Sequence, residues 1–207
     1  MSKILNKCQE IANCFEFMPL SNGRNNQSEL SSLFLKHPIS ESITFFGGTF
    51  NPFHKGHLAC LNLCPEKNIL IIPDFNPLKT PFLNSSNYCE YFLNLAHQLK
   101  ETPYSIYPGF LAELKLNPTH TWIPYVKINE KNFLMGDDSF MELAKWSRPD
   151  IFVQSLTKLY VVPRNFTKKD RENQAKEVLK WNKKLKIIFL AEHSFQDISS
   201  TKLRKCT

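Results

Sequence analysis

The amino-acid sequence predicts an α/β protein built on a doubly wound parallel sheet, and three observations carry that prediction. Five short apolar runs recur along the chain: 43–46, 69–72, 132–135, 159–162 and 186–190. Each is nearly continuous rather than alternating, the pattern of strands buried on both faces. Stretches with helical spacing separate them, and strands alternating with helices imply parallel strands joined by right-handed crossovers. The chain has 207 residues, 42% hydrophobic and 22% charged, which suits one globular domain with at most an appendage.

Taken in order, residues 1–40 stand outside this rhythm. Ile4, Cys8, Ile11 and Phe15 share one helical face, and a polar loop follows over 21–28. The expected division is therefore an N-terminal helical extension over 1–40 and a main domain over 41–207, with the first helix docked on the sheet. The run Ile43-Thr44-Phe45-Phe46 is the first strand, and Ile69-Leu70-Ile71-Ile72 the second. Over 85–100, Tyr88, Tyr91, Phe92, Leu95 and Leu99 form a helical stripe that Ser85 or Ser86 caps. After Phe133-Leu134-Met135, the spacing of Phe140, Leu143, Ala144 and Trp146 predicts a helix over 138–146. Leu159-Tyr160-Val161-Val162 is the next strand. The polar stretch 168–184 keeps only Ala175, Val178, Leu179 and Trp181 as a narrow stripe, so it reads as a surface helix before the last strand.

Glycine is scarce and clustered. The chain has six, and Gly47, Gly48 and Gly56 fall within ten residues, directly after the first strand. Strand, glycine turn and helix start form an anion site, because unpaired N–H groups and the helix dipole face the ligand. The segment matches neither GxGxxG nor GxxxxGKS/T. Instead it holds His54 and His57, which at i, i+3 project from one face of an opening helical turn. A second candidate anion site lies at Ser199-Ser200-Thr201, where hydroxyls cap a helix and Arg204 follows one turn later.

Charge is uneven. Thirteen of the 26 basic residues but only five of the 19 acidic ones lie beyond residue 156. A neutral body with a basic end is not the uniform coat of a non-specific nucleic-acid binder, and implies either a basic tail or an anion site built late in the chain. No apolar run reaches the roughly 18–20 residues of a membrane span, and the N-terminus has no signal-peptide pattern. Six cysteines in such a chain read as reduced thiols of a cytoplasmic protein. Zinc at His54, His57, Cys60 and Cys64 is not expected, since a helix would separate the outer two by about 15 Å.

The segment GGTFNPFHKGHL, residues 47–58, resembles the T/HxGH motif of the nucleotidyltransferase superfamily, and most of all bacterial nicotinate-mononucleotide adenylyltransferases. Further similar segments follow in family order: 73–79 (PDFNPLK), 118–121 (PTHT), 133–139 (FLMGDDS), 143–146 (LAKW), 159–164 (LYVVPR) and 198–204 (ISSTKLR). Two positions depart on the acceptor side, Leu78 for a usual His and His120 for a usual Tyr.

The resemblance implies a Rossmann-like nucleotidyltransferase fold and a reaction in which nicotinate mononucleotide attacks the α-phosphate of ATP. It implies His54 and His57 as catalytic residues. Gly48, Thr49, Phe50, Gly136, Asp138, Ser199, Ser200, Thr201 and Arg204 would bind ATP. Lys79, Thr119, Thr121 and Trp146 would bind the acceptor, and Arg164 would add charge beside one of the two nucleotides. Mg2+ would arrive on the phosphates, with no metal ligand from protein side chains. ATP and nicotinate mononucleotide are the expected partners, membrane and nucleic acid are not, and a homo-oligomer is open. Another adenylyl- or cytidylyltransferase of the superfamily (with nicotinamide mononucleotide or phosphopantetheine as acceptor) and a non-catalytic nucleotide-binding protein are the alternatives.

Overall fold

The computed structural model describes residue 36 and residues 41–74, 94–107 and 117–205. Six parallel strands form one sheet in the order β3-β2-β1-β4-β5-β6. They are β1 (Ser42–Gly48), β2 (Ile69–Pro73), β3 (Ser105–Ile106), β4 (Glu130–Gly136), β5 (Lys158–Val162) and β6 (Lys186–Phe189). All five apolar runs are strands, and the two-residue β3 joins them at one edge. It is too short to leave a pattern in the sequence.

Side chains alternate across the sheet, and both faces are buried. Ile43, Phe45, Leu70, Ile72, Phe133, Met135, Leu159 and Val161 point into one core. Phe46, Ile69, Ile71, Leu134, Tyr160 and Val162 point into the other. Burial on both faces is why these strands read as unbroken apolar runs.

Helices described over their whole length are α1 (Lys55–Leu63), α2 (Asp137–Met141), α3 (Pro149–Gln154), α4 (Lys168–Leu179) and α5 (Ser200–Lys205). The single helix expected over 138–146 is two pieces: α2 stops at Met141, and a separate 3-10 turn spans Leu143–Lys145. Trp146 closes that turn and packs against Phe152, ring centroids 5.3 Å apart, so its apolar spacing belongs to the core. In α4 the predicted stripe packs inward as expected, joined by the buried Arg171. The stripe over 85–100 is helical through 94–98, with Leu95 and Leu99 buried, and its earlier part lies outside the described residues. The predicted helix 4–15 and Lys79 lie outside them too.

This topology places the site. Chain crossovers leave β1 toward β2 on one side, whereas β4 lies on its other side. A crevice therefore opens beyond the C-terminal ends of β1 and β4, where doubly wound sheets bind ligands. Gly47-Gly48 and Gly136 stand at its floor.

Candidate active site

His54 and His57 cap α1 reciprocally. Nδ1 of His54 accepts the Gly56 N–H at 3.1 Å, and Nδ1 of His57 accepts the His54 N–H at 3.3 Å. Capping is the ordinary use of a polar side chain at a helix start, and here it also sets the tautomer. An Nδ1 that accepts a hydrogen bond leaves the proton of the neutral ring on Nε2. Both rings thus bring an Nε2–H to the cavity that they line.

The rings stack with centroids 3.7 Å apart, a spacing at which two imidazolium ions would repel. Burial lowers the His54 pKa to about 4, helped by the charges of Arg164 and His193. Burial likewise lowers that of His57 to about 3, with His54 and Arg164 adding to the effect. His57 lies among the rings of Phe46, Phe50 and Phe53, with centroids 6.3, 5.1 and 5.2 Å away. Phe50 reaches it from a left-handed backbone, φ 48°, which is strained for a bulky residue. Gly56 is glycine for reasons of space. A Cβ there would lie 3.0 Å from the His54 ring and 3.3 Å from the Phe195 carbonyl oxygen.

A second group of side chains builds the opposite wall. Asp137 is wholly buried, and its carboxylate accepts the N–H groups of Arg164, Asn165 and Phe166 at 2.8–3.2 Å. The Arg171 guanidinium pairs with the same carboxylate at 3.3 Å and also donates to the Phe166 carbonyl. The turn fixed in this way aims Arg164. Its Nε donates to the Gln196 carbonyl at 2.7 Å and its second terminal nitrogen to that of Ile198. Arg164 therefore ties the end of β5 to the residues just before α5.

Ser199, Ser200 and Thr201 follow, with the Ser199 hydroxyl accepting the Lys202 N–H at 3.1 Å. The Ser200 hydroxyl donates to the Pro52 carbonyl at 3.0 Å. Arg204 donates to the Asn51 carbonyl and, at 3.2 Å, to the Thr201 hydroxyl. Two segments 150 residues apart in sequence are laced together around one cavity.

The cavity encloses about 210 Å³. Every residue expected on the ATP side lines it: Gly48, Thr49, Phe50, His54, His57, Gly136, Asp138, Ser199, Ser200, Thr201 and Arg204. Of the two neighbouring acids, Asp137 serves the turn and Asp138 faces the cavity, 3.7 Å from Arg164.

Of the residues expected around the acceptor, the described ones, Thr119, Thr121 and Trp146, are not part of this wall. Thr119 and Thr121 form a separate 3-10 turn, where the Thr121 hydroxyl donates to the Pro118 carbonyl at 2.7 Å. Trp146 packs on the core beside Phe152. Sequence reasoning passed over His193, Phe195 and Cys60, which do line the cavity. Their one sequence signal is position, since His193 and Phe195 follow the end of β6 on the edge of the sheet that holds the site.

Chemically, the walls offer two neutral imidazole donors, guanidinium groups, hydroxyls at a helix start and one facing carboxylate. That set suits a polyanion whose charge shifts between phosphoryl oxygens during group transfer.

Sheet order and site position are those of a Rossmann-like α/β fold, and the donor set suits phosphate chemistry. The family model described as Cytidylyltransferase-like matches residues 45–206, and the chain belongs to that family. Among its curated relatives is a probable nicotinate-nucleotide adenylyltransferase of Lachnoclostridium phytofermentans, 26% identical over 174 residues, covering 79% of this chain and 85% of that one. The protein so named in Aquifex aeolicus is 28% identical over 165 residues, 75% of this chain and 97% of that one. A third, from Coprothermobacter proteolyticus, is 30% identical over 136 residues, 61% of this chain and 69% of its own length. No helix among the described residues is long and apolar enough to cross a membrane.

Proposed function

We propose that the protein transfers the adenylyl group of ATP to nicotinate mononucleotide, releasing pyrophosphate and forming deamido-NAD. The observation that carries the reading is the paired tautomer of His54 and His57. Two Nε2–H donors, fixed by backbone and held neutral, share one cavity with the hydroxyl-rich start of α5. The names of the curated relatives supply the acceptor.

In this reading the acceptor's phosphate is the nucleophile. Its second pKa is about 6, so at neutral pH it needs no protein base. An oxygen of that phosphate bonds to the α-phosphorus, the bond to the bridging oxygen breaks, and pyrophosphate leaves with the electron pair. His54 and His57 donate to the α-phosphoryl oxygens and Ser199, Ser200, Thr201 and Arg204 hold the leaving end, so the protein positions the reactants and stabilises spreading charge. Asp138 accepts from a ribose hydroxyl. Mg2+ fits as an ion carried by the phosphates. Among the described residues, Asp138 is the one carboxylate lining the cavity, and no group of three His, Cys, Asp or Glu could hold a metal. There it would neutralise phosphate charge. Lys79 supplies positive charge to the acceptor and Arg164 to one of the two nucleotides, and Thr119, Thr121 and Trp146 are assigned to the nicotinate ring. The setting we infer is cytoplasmic.

The test is pyrophosphate release from ATP with nicotinate mononucleotide, nicotinamide mononucleotide or phosphopantetheine offered as acceptors. The expected preference is for nicotinate mononucleotide. Preference for another acceptor would move the protein within its family, and no release with any of the three would leave a nucleotide-binding protein.

A further inference from the structure

His193 faces the cavity without a part in the reaction just described. It lies in the segment after β6, and its Nδ1 accepts the Phe195 N–H at 3.0 Å. The proton of the neutral ring therefore sits on Nε2, as in His54 and His57. That Nε2 is 3.8 Å from Sγ of Cys60 on α1. A thiol is a weak acceptor, and burial pushes the Cys60 thiol up to about 12, so no thiolate competes for the N–H. The turn around His193 rests on the first turn of α1, where the Phe195 carbonyl closes over Gly56. Helix and turn thus form one unit, which carries a third imidazole to the wall shared by His54 and Arg164.

We propose that His193 is a third histidine donor to the triphosphate of ATP, exchanging its weak sulfur contact for a phosphoryl oxygen. The inference rests on the reading of the cavity as an ATP site. It differs from a purely structural role in which nitrogen matters. A glutamine places its amide near the position of Nε2, whereas an asparagine carbonyl stands near Nδ1 and can keep the bond to Phe195.

The experiment compares wild type with His193→Ala, His193→Gln and His193→Asn, measuring binding of ATP, inorganic tripolyphosphate and adenosine by calorimetry, with melting temperature as the check on folding. A lost hydrogen bond to a charged oxygen should weaken ATP and tripolyphosphate about tenfold in His193→Ala and His193→Asn. His193→Gln should restore most of it, and adenosine should be unaffected. Full affinity in His193→Asn with loss in His193→Gln would mean that the ring only anchors the turn. Equal loss for adenosine would place it beside the base. Either result overturns the proposal while leaving the adenylyl-transfer reading intact. Failure of the wild-type protein to bind ATP or tripolyphosphate at all would remove both.

Discussion

His57 illustrates how one side chain carries two roles through two nitrogens. Nδ1 belongs to the helix and Nε2 to the cavity, so His57→Ala should cost about 1 kcal/mol of stability, the ordinary worth of a cap, but at least a hundredfold in turnover, the ordinary worth of a donor at developing phosphoryl charge. Pyrophosphate release and thermal melting on the same sample check both parts. Gly56 makes the complementary case. Alanine is the better helix former by about 1 kcal/mol, yet its Cβ would press on the His54 ring. Gly56→Ala should melt no lower than wild type by more than a few degrees and still lose most of its turnover. The imidazoles also give the fold an acid sensitivity whose direction is fixed. Their folded pKa values, about 4 and about 3, lie below the free value of 6.5. Between those limits the unfolded chain binds more protons, so stability is complete above about pH 6.5 and declines as pH falls toward 3. In His54→Gln/His57→Gln, that acid limb of the melting temperature against pH should flatten. An unchanged slope would mean that other groups dominate the acid response.

At the scale of elements, α2 joins the two halves of the site. Asp137 opens it, and three successive backbone N–H groups at 164–166 converge on this carboxylate together with Arg171. Removing one partner leaves the other charge buried, which typically costs about 3–5 kcal/mol. Asp137→Ala should therefore lower the melting temperature far more than Asp138→Ala, whose carboxylate is half exposed. Asp138→Ala should instead raise the KM for ATP. Sequence alone placed five of six strands because two-sided burial writes itself as unbroken apolar runs. It also singled out the glycine and hydroxyl clusters at two helix starts, which the structure brings to one cavity. It did not foresee the break at Met141, because Phe140, Leu143 and Trp146 keep apolar spacing across two separate turns that share one core. The resemblance pointed to Asp138, which does face the cavity, but nothing in the sequence assigned Asp137 its own task, which depends on a turn folded from residues nearly thirty positions later. His193 was missed for the same reason, since loop residues carry no periodicity.

For the molecule as a whole, the uneven charge is only partly used by the site. Arg164 and Arg204 reach the cavity, whereas the lysines over 168–186 are spread along an exposed helix and its exit, some in solvent-exposed pairs such as Lys168 with Glu172 and Lys180 with Glu177. Of the first forty residues, Lys36 is the one described, and it is bonded to the edge of the sheet. Lys36 donates its backbone N–H to the Ser105 hydroxyl on edge strand β3 at 3.0 Å. Its ammonium donates to the carbonyls of Leu99 at 2.6 Å, Lys100 at 2.7 Å and Thr102. These carbonyls end the helix through 94–98, where a cation complements the helix dipole. Lys36→Met should cost about 1 kcal/mol, the net worth of the lost bonds, because the Leu99 carbonyl keeps the Thr102 N–H and hydroxyl and water reaches that of Lys100. Two truncations then separate that clamp from the helix proposed over residues 4–15. Removing residues 1–35 keeps Lys36, and removing 1–38 takes it away. If the N-terminal helix covers part of the sheet, the shorter truncation already lowers the melting temperature and promotes aggregation, and the longer one unfolds the protein. A 1–35 truncation that melts like the full chain would refute the docked helix and leave Lys36 as the extension's whole contribution.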